Sequence, residues 1–306
     1  MQEIENKDAI SLMMSDLLKE KRAERRWRNI RFIAWFLLIA YIVMSVFSYT
    51  GHPTLGTTEQ NKYIALVRLT GMISPEREFS ADEVIPILQD AFSDKYAKGL
   101  IIDINSPGGT PVQAGIIHDA ILTLKKKYNK KVIIVGEDLL TSGAYFVAVA
   151  GDKIYVNAST ITGSIGVIMK GFGFVDVMKK IGIERRVYIS GNDKNRLDPF
   201  LPENPNDIKK IQTVMNGIRQ NFIAAVLEGR KGKLKSNADI LFNGDFWSGQ
   251  AAVDIGLADG IGNLMDVMNK EFHTTEYKEY GGTSTFFRRL NGQFNSLFDS
   301  FFYLSG

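Results

Sequence analysis

The chain has 306 residues, of which 45% are hydrophobic and 23% are charged, and its formal net charge at pH 7 is +3. This length and apolar fraction exclude a disordered or collagen-like chain and allow one large α/β domain or two smaller ones. The chain has no cysteine and only three histidines, which excludes thiol nucleophiles and disulfides and does not favour a metal centre. The nearly neutral charge gives no argument for nucleic acid, so we expect no cofactor, no metal and no nucleic-acid partner.

A long uncharged segment, residues 32–49, follows a basic stretch near the N-terminus. Eighteen helical residues extend about 27 Å, close to the roughly 30 Å hydrocarbon core of a bilayer. Residues 19–31, immediately before the segment, contain seven basic residues and two glutamates, and residues 51–60 contain neither lysine nor arginine. The positive-inside rule therefore predicts a cytoplasmic basic tail at 1–31, a transmembrane helix at 32–49 and a linker at 50–61.

Two alternatives for this segment are a cleaved signal peptide and a buried core helix. A signal peptide has a shorter apolar region, followed by small residues at its cleavage site. This segment instead ends in Val46, Phe47 and Ser48, which do not form such a site. A core helix would not need the step in flanking charge. A retained single span is favoured, with everything after Thr50 outside the cytoplasm.

Apolar strands alternate with amphipathic helices along the next hundred residues. The predicted strands are 63–69, 99–104, 132–135 and 153–156; the predicted helices begin at a capping box, Ser80 to Glu83, and continue at 112–127 and 206–229. Alternation of this kind is typical of parallel βαβ units, and nearly continuous Ile, Leu and Val runs fit strands that are covered on both faces. The sequence predicts an α/β fold with a parallel-sheet core.

Two short motifs follow predicted strands, where active sites of parallel sheets lie. Ser106-Pro107-Gly108-Gly109 comes after the second strand, and its paired glycines let a carbonyl oxygen approach the main chain. Ser142-Gly143-Ala144-Tyr145 comes after the third strand and opens a helix, which is the layout of a nucleophile with main-chain oxyanion donors. Taken alone, each motif is weak, because Ser-Gly before a helix is more often an ordinary N-cap and Pro-Gly-Gly is more often an ordinary turn.

A serine nucleophile needs a general base. None of the histidines, His52, His118 and His273, follows a predicted strand, which disfavours a Ser-His-Asp arrangement. A lysine held in its neutral form is the remaining choice. Composition does not select one, and four are conceivable: Lys153, Lys170, Lys179 and Lys194.

Five segments in this order resemble the signal peptide peptidase A family, whose members are membrane-anchored Ser-Lys proteases with a fold similar to the Clp protease subunit and the crotonases. The resemblance covers roughly residues 62–268. Ala144 and Asp245 depart from the family pattern, which usually has a second glycine and an arginine at these places. The five segments are Asn105–Gly109, Ser142–Tyr145, Thr162–Val167, Ser190–Lys194 and Gly244–Asp259.

The resemblance implies a role for each matching residue. Ser142 corresponds to the nucleophile, Lys194 to the general base, Gly109 and Gly143 to the oxyanion donors, and Ser164 to a hydroxyl that orients the lysine. We expect Lys194 to be buried beside Ser142 and Ser164, because a lysine acts as a base only when it is neutral.

The resemblance also implies an organisation and a location. We expect a protease domain at 62–272, a C-terminal tail at 273–306, and a homo-oligomeric ring at the periplasmic face of the inner membrane. Its substrates would be peptides such as cleaved signal peptides. Two alternatives stay open: a crotonase-like acyl-CoA enzyme, and a non-catalytic membrane scaffold that retains the fold.

Overall fold

The computed structural model describes residues 26–27, 29–42 and 63–281, and the chain divides into two compact units, 1–59 and 60–306. In the first unit, residues 29–42 are helical. Within the described residues, no helix is both long enough and apolar enough to cross a membrane. Residues 43–49 of the predicted span lie outside the described part of the chain, so the transmembrane helix stays a prediction.

The second unit is built on one central sheet. Its strands are β1 (Tyr63–Thr70), β2 (Ala97–Ser106), β3 (Val132–Thr141), β4 (Lys153–Val156), β5 (Ile161–Gly163), β6 (Phe246–Ser248), β7 (Gly260–Ile261) and β8 (Tyr277–Tyr280). The order across the sheet is β6-β5-β3-β2-β1-β8, and β4 joins β3 to β7. Every pairing is parallel except that of β5 with β6. The predicted α/β fold with a mainly parallel sheet is confirmed.

Within residues 63–281, eight helices connect and cover these strands. They are α1 (Ala81–Ser93), α2 (Pro111–Tyr128), α3 (Gly143–Ala148), α4 (Val175–Lys180), α5 (Pro205–Gly229), α6 (Ala238–Leu241), α7 (Gly249–Asp254) and α8 (Leu264–Phe272). The predicted capping box begins α1, where the Ser80 hydroxyl accepts a hydrogen bond from the Glu83 N–H over 3.4 Å. Satisfying this free N–H is what fixes the first turn of a helix.

Both faces of the sheet are buried, as the apolar strands predict. On one face, Val67, Ile102 and Ile134 belong to a large core cluster that includes buried residues of α1, α2, α3 and α5. On the other face, Leu66 and Ile101 pack in a smaller cluster with α8. Because α2 and α3 begin just beyond β2 and β3, their first turns meet at one edge of the sheet.

The last described strand, β8, lies in the segment predicted to be a C-terminal tail. β8 pairs in parallel with β1, so the sheet continues beyond the predicted boundary at residue 272. Asp94 fastens it, because its carboxylate accepts hydrogen bonds from the hydroxyls of Tyr63 and Tyr280 and from the Lys278 ammonium. These hydrogen bonds hold the pKa of Asp94 well below its usual value.

Residues 166–204 contrast with this core. Apart from the short helix α4 they form turns and loops, and none of them is buried. Large apolar side chains are exposed here, including Ile168, Phe172, Ile181, Ile183 and Tyr188.

Candidate active site

Ser142 lies on a sharp turn between β3 and α3. Its main-chain angles are φ 54° and ψ −125°, a conformation that residues other than glycine rarely adopt. The position is the N-cap of α3, but the hydroxyl makes no capping hydrogen bond. The interpretation of this serine as an ordinary helix cap is therefore excluded, and the strained turn presents an uncommitted hydroxyl.

The strained turn is held from both sides. The Ser142 N–H donates to the Gly163 carbonyl over 2.8 Å, which ties the end of β3 to the end of β5. On α3, the fully buried Tyr145 hydroxyl donates to the Leu257 carbonyl over 2.7 Å. Burial raises the pKa of Tyr145 far above its usual value, so the phenol stays protonated and keeps donating.

Gly109 and Gly143 bring two main-chain N–H groups together beside Ser142. A Cβ atom built on Gly143 would lie 3.2 Å from the Gly109 nitrogen. Neither N–H donates to any acceptor among the described residues. Two free donors next to a serine hydroxyl are the arrangement that stabilises the oxyanion formed during acyl transfer.

The loop that carries Gly109 is fixed by main-chain hydrogen bonds to Ile73. The Ile73 N–H donates to the Gly108 carbonyl over 2.9 Å, and the Thr110 N–H donates to the Ile73 carbonyl over 3.0 Å. The buried Ser106 hydroxyl accepts from the Gly108 N–H over 3.1 Å. The role of Ile73 could not be predicted from the sequence, because its main chain and not its side chain holds the loop.

Gly108 must be glycine for a reason of space. Its φ is +94°, and an added Cβ would lie 2.7 Å from both the Gly143 nitrogen and the Ser142 Cβ. The predicted motif named Gly109 as the donor. The structure adds that Gly108 allows the donor loop to approach the nucleophile.

Ser164 lies one residue beyond Gly163 and so adjoins the strand end that binds Ser142. Its φ is 52°, and its N–H donates to the Asp245 carbonyl over 2.7 Å. Asp245, one of the two departures from the family pattern, thus supports this turn through its main chain. The structure brings Ser142, Gly109, Gly143 and the Ser164 turn to the same edge of the sheet.

Lys194 is not part of this cluster of contacts. Its side chain is exposed, and its ammonium makes no hydrogen bond or ion pair with another described residue. Its loop is fastened instead by Arg196, which lies 2.9 Å from Asp193 and 3.0 Å from Asp207 at the start of α5. The expectation that Lys194 is buried is wrong for the chain alone. No residue of the surrounding segment 166–204 is buried, so this segment does not pack over the Lys194 side chain.

The other candidate bases have partners or surroundings of their own. The Lys153 ammonium lies 2.8 Å from Glu271, and the Lys179 ammonium lies 3.9 Å from Asp176. Lys170 is exposed. His118 contacts Asp119, and its ring is tilted against that of Phe146 with centroids 5.2 Å apart. His273 caps the end of α8. His52 lies outside the described residues.

The chain is similar to several known proteins over this unit. It is 44% identical over 204 residues to a protein named Na(+)/H(+) antiporter NhaA from Brucella melitensis biotype 1, a match that covers 67% of this chain but 28% of that protein. It is 31% identical over 214 residues to the putative protease MJ0651 of Methanocaldococcus jannaschii, covering 68% of each chain. It is 29% identical over 235 residues to a putative signal peptide peptidase SppA from Enterococcus faecium, covering 73% of this chain and 67% of the relative.

The model of peptidase family S49 matches residues 124–281, which include Ser142, Gly143, Ser164 and Lys194. This match spans just over half of the chain, and its start lies within α2. The mixed α/β sheet and the serine at the strand-to-helix turn agree with that assignment. On this evidence, the chain belongs to peptidase family S49.

Proposed function

We propose that this protein is a membrane-anchored serine endopeptidase that uses Ser142 as its nucleophile. The observation that carries the proposal is the Ser142 turn, where a hydroxyl free of capping bonds lies beside two N–H groups without acceptors. A helix cap would use the hydroxyl, and a purely structural turn would not need unpaired N–H groups. The finer fold expected is that of the Clp protease subunit and the crotonases.

In the proposed mechanism, the Ser142 Oγ attacks the carbonyl carbon of a peptide bond while its proton passes to the neutral Lys194 amine. The carbonyl oxygen becomes an oxyanion that accepts hydrogen bonds from the Gly109 and Gly143 N–H groups. The Lys194 ammonium then returns the proton to the leaving amine. Water hydrolyses the resulting ester, with Lys194 again accepting the proton.

Lys194 can take this role only if its surroundings change on assembly. The exposed apolar side chains that precede it, such as Phe172 (82% exposed) and Ile168 (74% exposed), form a surface of the kind that soluble proteins cover with a partner. We propose that a second copy of the chain covers this surface in a homo-oligomeric ring. Removing water from the lysine favours its neutral form, which is the form a general base requires.

The proposed substrates are peptides near a membrane, including cleaved signal peptides. Support comes from the name of the Enterococcus faecium relative and from the uncharged segment 32–49 behind its basic flank. In this proposal residues 32–49 span the inner membrane, the N-terminus is cytoplasmic and the unit that carries Ser142 is periplasmic.

The test is peptide hydrolysis by the full chain in detergent. We expect it to cleave casein and a synthetic signal peptide, and Ser142→Ala to lose this cleavage. Ser93→Ala, an exposed serine at the end of α1, is the matched control and should cleave as the unmodified chain does. Cleavage that survives Ser142→Ala would contradict the proposal. Hydrolysis of acyl-CoA thioesters in place of peptides would favour the crotonase-like alternative.

A further inference from the structure

Arg230, the residue after α5, is a buried arginine that the mechanism proposed for Ser142 does not use. It is 1% exposed and has the largest side chain among the described residues that are fully buried. Its Nη1 donates to the Asp259 carboxylate, which the Lys233 ammonium also approaches at 3.0 Å. A buried guanidinium is costly unless its charge is paired and its N–H groups have acceptors, so its partners show what it holds in place.

The other donors of Arg230 converge on one main-chain carbonyl. The Gly256 oxygen accepts from the Arg230 Nε over 3.0 Å and from its Nη2 over 2.8 Å. Gly256 and Asp259 begin and end the 256–259 turn, which connects α7 to β7. Because a guanidinium is a rigid planar fork, binding both ends of the turn at once fixes their separation. Arg230 therefore clamps this turn.

The 256–259 turn is also anchored to the sheet, through Asp259. Its carboxylate accepts from the Ile154 N–H over 2.8 Å, and its own N–H donates to the Ile154 carbonyl over 2.7 Å. Burial alone would raise the pKa of Asp259, but the hydrogen bond and charge of Arg230 hold it below its usual value. Asp259 therefore stays ionised at neutral pH, and the turn is held between Arg230 and β4.

Leu257, inside this turn, supplies the acceptor for a residue of the candidate site. Its carbonyl accepts from the Tyr145 hydroxyl over 2.7 Å, and Tyr145 lies in the first turn of α3, three residues after Ser142. Burial raises the pKa of Tyr145 most strongly, and the neighbouring charges act on it in opposite directions, Arg230 lowering it and Asp259 raising it. The ion pair thus lies next to the bond that holds α3.

The helix that carries Arg230 is itself packed against α3. The rings of Phe222 in α5 and Phe146 in α3 stack with their centroids 5.0 Å apart. Val226, one helical turn before Arg230, is fully buried in the same core cluster, and its carbonyl accepts from the Arg230 N–H over 2.8 Å. The guanidinium therefore extends from a base whose position relative to α3 is fixed.

We propose that Arg230 is a positioning residue for Ser142. Arg230 holds the 256–259 turn, and the turn holds Tyr145, which fixes the first turn of α3 beside the nucleophile. The inference rests on the proposed role of Ser142, and it gives a function to Asp259, the last residue of the segment Gly244–Asp259. The alternative is an ion pair that only stabilises the fold. The two differ in where the chain loosens when the pair is altered: around Ser142 alone, or throughout.

Three variants of the full chain in detergent separate these cases. Arg230→Lys keeps the positive charge but lacks the planar fork that bridges both ends of the 256–259 turn. Tyr145→Phe removes only a hydroxyl, so it tests the same connection even if the Arg230 variant does not fold. Tyr155→Phe is the matched control, because Tyr155 is 2% exposed and its hydroxyl donates to Glu271, in the core cluster on the other face of the sheet.

The readout is hydrogen exchange followed by mass spectrometry, which does not depend on peptide cleavage. In Arg230→Lys and in Tyr145→Phe, the main-chain amides of residues 143–149 should exchange on the order of tenfold faster, while those of β2 stay unchanged. The double variant should exchange no faster than the faster single variant, because both changes break one connection. Tyr155→Phe should leave residues 143–149 unchanged.

Unchanged exchange at 143–149 in either single variant, or equal acceleration there and in β2, would overturn the proposal, as would additive effects in the double variant. Both single variants should also lower kcat roughly tenfold while KM stays within about twofold, because the orientation of the Ser142 Oγ changes and the substrate-binding surface does not. An unchanged kcat would overturn the positioning role. The expected exchange pattern in a chain that cleaves no peptide would contradict the proposed function and leave the connection from Arg230 to α3 supported.

Discussion

The Ser142 N–H donates a hydrogen bond to the Gly163 carbonyl over 2.8 Å. This bond joins the strained turn at the end of β3 to the residue just before Ser164, so the candidate nucleophile and its neighbouring hydroxyl share one main-chain frame. Gly163 itself has φ +94°, and an added Cβ would lie 2.5 Å from the Trp247 ring. The arrangement of Ser142 and Ser164 therefore also depends on Gly163, which packs against the Trp247 ring.

Replacing Ser142 by alanine should remove peptide hydrolysis and leave stability almost unchanged. The hydroxyl makes no capping bond, so its loss exposes no unsatisfied helix N–H. Ser80→Ala is the informative comparison, because the Ser80 hydroxyl does cap α1 and its removal should cost about 1 kcal/mol. Urea unfolding of the three chains measures this difference. A loss of stability in Ser142→Ala as large as that in Ser80→Ala would contradict the description of the Ser142 turn.

Gly108→Ala should disable the oxyanion loop. The new Cβ meets the Gly143 nitrogen and the Ser142 Cβ at 2.7 Å, and the positive φ is unfavourable for alanine. We expect at least a hundredfold loss of kcat, in line with the loss of one oxyanion donor. Gly115→Ala in α2 is the control, because an added Cβ there has no atom within 4 Å. It should keep full activity and gain a few tenths of a kcal/mol.

Lys194→Arg should abolish turnover even though it preserves the charge. A guanidinium is not deprotonated in proteins, so it cannot accept the Ser142 proton. Lys98→Arg, an exposed lysine on β2, should cleave casein at the rate of the unmodified chain. If Lys194→Arg also retains that rate, Lys194 is not the base, and exposed Lys170 becomes the next residue to replace, since Lys153 already pairs with Glu271.

Stability should depend on pH through Asp103. Its pKa is raised to about 7 by burial and by Glu137, against about 3.9 in an unfolded chain. Between these values the folded chain binds a proton that the unfolded chain has lost, so the free energy of unfolding decreases as pH rises from about 4 to 7. Asp103→Asn should flatten this slope in urea unfolding at pH 4.5 to 7.5.

Glu137→Gln should move this slope to lower pH, because it removes the negative charge that helps raise the pKa of Asp103. Identical slopes in the chains with aspartate and with asparagine at position 103 would show that Asp103 ionises normally.

The sequence predicts the elements that are long and strongly patterned. The strands β1 to β4 follow from nearly continuous apolar runs, and the helices α1, α2 and α5 follow from apolar residues at helical spacing. The Ser80 cap follows from a local hydrogen bond. The strands β5 to β8 contain two to four residues each, too few for a period to show. They exist because distant segments pair with them, as β8 does with β1.

The same distinction applies to the site. Ser142, Gly143 and Gly109 could be found because each follows a predicted strand in a motif with its own local geometry. The main-chain contribution of Ile73 and the support that Asp245 gives to Ser164 depend on contacts that no local pattern encodes. The exposure of Lys194 was missed for a related reason, since its motif carries no information about whether other parts of the chain cover it.

The central claim, that Ser142 is an activated nucleophile, can be tested most directly by covalent labelling of the full chain with a peptidyl fluorophosphonate. The Ser142 Oγ attacks the phosphorus of the probe and displaces fluoride, while its proton passes to Lys194. The phosphoryl oxygen of the adduct would accept hydrogen bonds from the Gly109 and Gly143 N–H groups. Peptide mapping by mass spectrometry should find one adduct, on Ser142, and none in Lys194→Arg. An adduct on another serine, or no adduct on a chain that still cleaves casein, would contradict the claim.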